Sequence, residues 1–123
     1  MIISFLLGLL AVVAVVAVVA LVVMGFLWLK DYIKKRLKEK ENHKVAFVDT
    51  REVVDEYVQN KAKYSEEISM DDLERMCEET PFVSATIDNK TGEISDYEGV
   101  KAEEVESNLK SKIESNDGIL IFG

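Results

Sequence analysis

One histidine and one cysteine limit the covalent and metal chemistry open to this chain of 123 residues. A zinc site draws on three or four ligands, so His43, alone in a linker, reads as a solvated imidazole. Cys77 falls on the apolar side of a helical segment, where a thiol serves as a small buried hydrophobe. The acids Glu66, Glu67, Asp71, Asp72, Glu74, Glu78 and Glu79 invite a cation or paired-carboxylate reading. Most of them cluster where helices start or on an exposed face, and the macrodipole favours acids at helix starts, so they read as solvated. Asp88-Asn89-Lys90-Thr91-Gly92-Glu93 looks loosely like a calcium loop, but Lys90 occupies a ligand position and the glycine comes one place early. It reads as a hairpin turn. Asn89-Lys90-Thr91 also matches a glycan acceptor, which matters only on the outside of a secretory membrane. No Ser-His-Asp, Cys-His or H-E-x-x-H set can be assembled, and no glycine-rich phosphate loop is present. The expectation is a protein that is not an enzyme, with no catalytic residue, cofactor, metal or small-molecule substrate.

The elements around these residues divide sharply by hydropathy. Residues 2–29 carry no charge, and Ser4 is their one conventional polar side chain. As an unbroken helix they would measure about 42 Å, against about 30 Å of bilayer hydrocarbon. The run is far longer than a signal-peptide core, lacks a basic start and has alanines spaced A-x-x-A, so an uncleaved transmembrane signal-anchor over residues 1–29 is expected. Lys30, Lys34, Lys35, Arg36, Lys38 and Lys40 follow it, and no basic residue precedes it. The positive-inside rule then puts the N-terminus outside and the remainder in the cytoplasm. Phe26, Trp28 and Tyr32 would form the aromatic belt, and with Lys30, Lys34, Lys35, Arg36 and Lys38 the lipid interface. Gly8, Ala11, Ala14, Ala17 and Ala20 recur every three residues, a shallow row against which another membrane helix could pack.

Beyond the span, Leu29, Ile33 and Leu37 extend the helix as a basic juxtamembrane stalk over residues 30–43. Residues 1–43 hold six basic and three acidic side chains, while residues 44–123 hold nine and twenty. The second part reads as one small acidic domain, a charge unsuited to nucleic acid. KVAFV (44–48) is a strand apolar on both faces. Asp49 and Ser69 are N-caps of two helices, Glu52 and Asp72 standing three residues on. FVSATID (82–88) alternates with Val83, Ala85 and Ile87 inward, and after the turn Glu93 to Tyr97 returns antiparallel. A third helix is expected from about 101 to 116, stopped by Gly118, before a last strand of Ile119, Leu120, Ile121 and Phe122. The order β-α-β-β-α-β, with an extra helix in the first crossover, predicts an α+β domain of ferredoxin-like topology. That topology puts the last strand at a sheet edge, where its uncharged residues are candidates for pairing with another chain.

These readings converge on a single-pass membrane adaptor or small accessory subunit. Its acidic cytoplasmic domain would bind a protein partner, and its helix would contact membrane lipid and a membrane complex. The alternatives are a self-assembling structural protein, joined through the helix and the edge strand, and a regulator of a transporter or membrane enzyme. A pilin-like subunit fits poorly, since the basic leader and the early helix acid are missing.

Overall fold

The computed structural model describes residues 2–38 and 40–123; Met1 and Glu39, counted above in the span and the stalk, lie outside them. The apolar run is not one helix. It divides into α1 (Ile2–Val12), a turn, β1 (Val18–Met24) and the start of α2 (Phe26–Leu37). Among the described residues no helix is long and apolar enough to cross a membrane. The transmembrane signal-anchor, the single-pass membrane placement and the N-out orientation are corrected accordingly. The physical reason lies in the valines. Eight of them stand between positions 12 and 23, and β-branched side chains pack well on a pleated sheet but lose χ1 freedom in a helix. A run apolar on every side suits a buried protein core as well as lipid. Leu6 and Leu9 are fully buried, with Phe5 and Val13 nearly so.

Five strands form one mixed sheet in the order β1-β4-β3-β2-β5. The others are β2 (His43–Asp49), β3 (Phe82–Asp88), β4 (Ile94–Val105) and β5 (Ile119–Phe122). The remaining helices are α3 (Thr50–Gln59), α4 (Met70–Glu79) and α5 (Ser107–Ser115). One core joins α1, α3 and α4 to one sheet face through Leu6, Leu9, Val48, Tyr57, Met76 and Val83. The other joins α2 and α5 to the opposite face through Leu29, Ile33, Phe47, Val100, Leu109 and Ile113. The stalk is therefore a packed helix, with Leu29, Tyr32 and Ile33 buried on the sheet.

The class remains α+β, but the ferredoxin-like topology is overturned. In that fold β2 and β3 would be separated by β4; here they are direct antiparallel neighbours, His43 opposite Asp88 and Asp49 opposite Phe82. The additional helix explains the reversal. A single helix would return the chain for a parallel strand, whereas α3 followed by α4 delivers it to the end where β2 finished. There Thr50 N–H donates to the Pro81 carbonyl at 3.0 Å. The expected helix from 101 instead begins at Ser107, because Lys101 to Val105 extend β4 beside β1. That partner strand is invisible while residues 18–24 are read as a membrane span.

Local signals stand where the sequence put them. Asp49 accepts from Arg51 and Glu52 N–H, and Ser69 Oγ accepts from Asp72 N–H at 3.2 Å. Gly118 sits at φ +85, its N–H donating to the Ile113 carbonyl. A Cβ there would also stand 2.5 Å from Glu52 Cβ. Gly118→Ala is accordingly expected to lower stability by about 1–3 kcal/mol, read as a drop in the urea midpoint. A change under about 0.5 kcal/mol would mean that the loop relaxes freely.

Candidate functional site

β1 is an edge strand without a charge, and its open side is the most unusual surface of the molecule. Its register with β4 is parallel, Val18 opposite Gly99 and Met24 opposite Val105. The ends are pinned: Gly99 N–H donates to the Ala17 carbonyl at 2.8 Å, and Glu106 N–H to the Met24 carbonyl at 2.9 Å. Gly99 is needed for close approach, since a Cβ there would lie 2.9 Å from Thr80 Cγ2 and 3.1 Å from Val18 Cγ2. Val19 and Leu21 pack toward the α2–α5 core. On the other side Val18 and Ala20 are exposed, Val22 is 68% exposed, and Val15, just before the strand, 84%. Val23, Phe26 and Leu27 continue the apolar surface around the end of the strand, Leu27 at 83%. Proteins ordinarily blunt a sheet edge with charge, proline or a covering element. Among the described residues nothing of that kind protects β1.

Across β4 from this edge lies a cleft of about 440 Å3, lined in part by Asp49, Arg51, Phe82, Glu103, Lys110 and Ile113. It forms because β3 begins at Phe82, opposite Val100 of β4. Past Val100, β4 keeps only β1 as a neighbour. Alternate backbone groups of the 101–105 stretch therefore face the cleft with no strand opposite. The lining mixes two carboxylates with two cations. Burial pushes the Asp49 carboxyl up, offset by the Glu52 and Arg51 N–H groups it caps. Both of these bonds fall on Oδ1, which commits that oxygen to α3.

A polar cluster fixes α2 over the sheet and so holds the far end of β1 in place. Tyr32 Oη donates to Glu98 Oε1 at 2.5 Å and lies 2.6 Å from Ser84 Oγ. One turn on, Arg36 donates to the carbonyls of Ser84 and Asp96. Lys40 pairs with Asp96 at 2.5 Å, and this ammonium foremost holds the Asp96 carboxyl below its usual range. Asp96 has φ +53 at a bulge, where the register slips between Ser84 and Thr86. The extra residue sends Tyr97 toward α1 and Glu98 toward α2.

The residues singled out from sequence are scattered by this fold. Gly8 lies on α1 against the Tyr97 ring, Ala11 is exposed on α1, Ala14 and Ala17 lie between α1 and β1, and Ala20 is in β1. They share no face. Phe26, Trp28, Lys30, Tyr32, Lys34, Lys35 and Arg36 all sit on α2, with Lys38 as its C-cap, but they point in different directions. Tyr32 is buried with Trp28 stacked on it at 4.8 Å, whereas the lysines are exposed. Ile119, Leu120, Ile121 and Phe122 form β5, at the sheet edge opposite β1 and paired with β2. Cys77 is half-buried, and burial pushes its thiol up. His43 Nε2 lies 3.9 Å from Asp88, whose carboxyl is held low first by the Lys90 and Thr91 N–H groups. Among the described residues no three of His, Cys, Asp and Glu converge as metal ligands. Sequence reasoning passed over Val15, Val18, Val22, Val23 and Leu27; the signal present was the valine-rich stretch itself. No protein-family model, no curated protein and no solved structure matches the chain.

Proposed function

We propose that this chain is a non-enzymatic interaction module that takes up an extended segment of a partner protein along β1. The carrying observation is a seven-residue uncharged edge strand in which Val18, Val22 and Val23 stay exposed. Strand addition uses what such an edge offers: main-chain groups provide hydrogen bonds, and alternate side chains provide selectivity. The exposed face of Val15, Val18 and Val22 would be covered by apolar side chains of the same partner, which explains why it is left open.

The test places a photo-crosslinking side chain at Ala20 in the full-length protein, with one at exposed Glu56 of α3 as reference. A discrete adduct at 20, absent at 56 and lost on adding Val22→Lys, is the expected result. Val22→Lys should leave thermal stability within about 0.5 kcal/mol, because its side chain faces solvent. Adducts of equal yield at 20 and 56, or adducts that survive Val22→Lys, would overturn the reading.

A further inference from the structure

The sheet separates two helix surfaces of opposite charge. On one side α2 exposes Leu27, then Lys30, Lys34 and Lys38 along its outer ridge, with Asp31 and Lys35 beside them. On the other, α4 exposes Met70, then Asp71, Glu74 and Glu78, with Arg75 turned to Asp72 at 3.8 Å. Each ridge starts from an exposed apolar residue and carries like charges four apart, Lys30, Lys34 and Lys38 on one and Glu74 and Glu78 on the other, a spacing of about 6 Å along the helix. Glu78 and Glu79 also stand in the last turn of α4, where the macrodipole disfavours acids. Among the described residues Lys30, Lys34, Lys38, Glu74 and Glu78 take part in no salt bridge.

We infer that copies of this chain associate head to tail, the basic ridge of α2 lying against the acidic ridge of α4 on the next copy. The occupant is a second copy because the two ridges match in charge, spacing and apolar end, and every molecule presents both. The matching period lets the charges meet whichever way the helices run. Because α2 and α4 lie on opposite faces of the sheet, the contact is heterologous and extends as a stack. Stacking leaves both sheet edges open, so each added copy presents another β1, and linked edges bind a multivalent partner more tightly than single ones. Chains of net charge −8 repel one another at long range, which sets the attraction at close contact and makes it sensitive to salt.

Sedimentation velocity on the full chain tests this. At about 20 mM salt the sedimentation coefficient should rise with concentration, and at about 0.5 M salt that rise should vanish. Lys30→Glu with Lys34→Glu, and separately Glu74→Lys with Glu78→Lys, should each weaken association about tenfold or more. Mixed in equal amounts the two reversed proteins should associate again, since each supplies the ridge that the other now matches. The paired glutamine variants, Lys30→Gln with Lys34→Gln, check that loss of charge alone gives the same direction. A monomer at low salt, or a mixture that stays dissociated, would overturn the inference. So would association that persists at high salt and disappears with Val22→Lys, a result that would leave the β1 reading standing.

Discussion

Replacing Leu6 or Leu9 with alanine is expected to cost about 2–5 kcal/mol of folding free energy, the range for truncating a leucine with no exposed surface. Both side chains are at 0% exposure in the core shared with Val48, Tyr57, Met76 and Val83. Neighbouring Phe5 reaches the Tyr97 ring at 5.7 Å between centroids, so α1 is anchored to β4 by contacts far apart in sequence. Leu7, at 36% exposure on the same helix, is the matched control and should cost less than about 1 kcal/mol on the same substitution. Urea unfolding followed by Trp28 fluorescence reads the difference. With m of about 1–3 kcal/mol per molar, the midpoints of the Leu6 and Leu9 variants should fall by about 1–2 M. Equal midpoints for Leu6→Ala, Leu9→Ala and Leu7→Ala would remove α1 from the core.

That experiment bears on the segment where sequence and structure part. From Asp49 onward most local signals point to the elements observed, because caps and turns are short-range chemistry. Asp49 and Ser69 cap α3 and α4, Gly118 ends the last helix, and Val83, Ala85 and Ile87 face one core. The N-terminal run carries no such punctuation. Ser4, the one polar residue within 2–29, sits inside α1, and Gly25 caps α2 without a side-chain bond. Hydropathy alone was left to assign it, and hydropathy cannot tell lipid from a protein core. The end of β4 depends on the same assignment: with residues 18–24 given to a bilayer it lacks a partner strand, and its sequence then reads as helix.

The candidate site was legible only in part, for a related reason. Ile119 to Phe122 are placed at an edge by the ferredoxin-like order, and they stand at one although that order is overturned, because β5 pairs with β2 alone in both. Val22 could not be placed, because its exposure depends on which strand β1 joins and which face α1 leaves uncovered. The charge division was visible as a contrast along the sequence between a basic stretch near 30–40 and an acidic remainder. Only the fold turns it into two opposed surfaces of one sandwich, α2 on one side and α3 and α4 on the other.

Alkaline pH should destabilise the protein through two tyrosines, one under each helical layer. Burial foremost raises the Tyr32 hydroxyl pKa far above the ordinary value of 10.0, helped by its hydrogen bond to Glu98 and opposed by Ser84. Burial alone pushes Tyr97 up to about 12. Below pH 10 the folded and unfolded chains both hold these protons, so stability is fully present there. Above it the unfolded chain releases them while the folded chain retains them, and stability falls as pH rises toward the folded values. Tyr32→Phe with Tyr97→Phe should therefore flatten the decline in urea midpoint between about pH 10 and 12. At neutral pH the variants should differ. Tyr32→Phe is expected to cost about 1–3 kcal/mol, since the half-buried Glu98 carboxylate and the buried Ser84 hydroxyl both lose a partner. Tyr97→Phe should cost less, its hydroxyl making only a 3.4 Å contact to the Phe5 carbonyl. Parallel pH profiles for wild type and the double variant would show that neither hydroxyl is held protonated by the fold, and the buried position of Tyr32 under α2 would have to be given up.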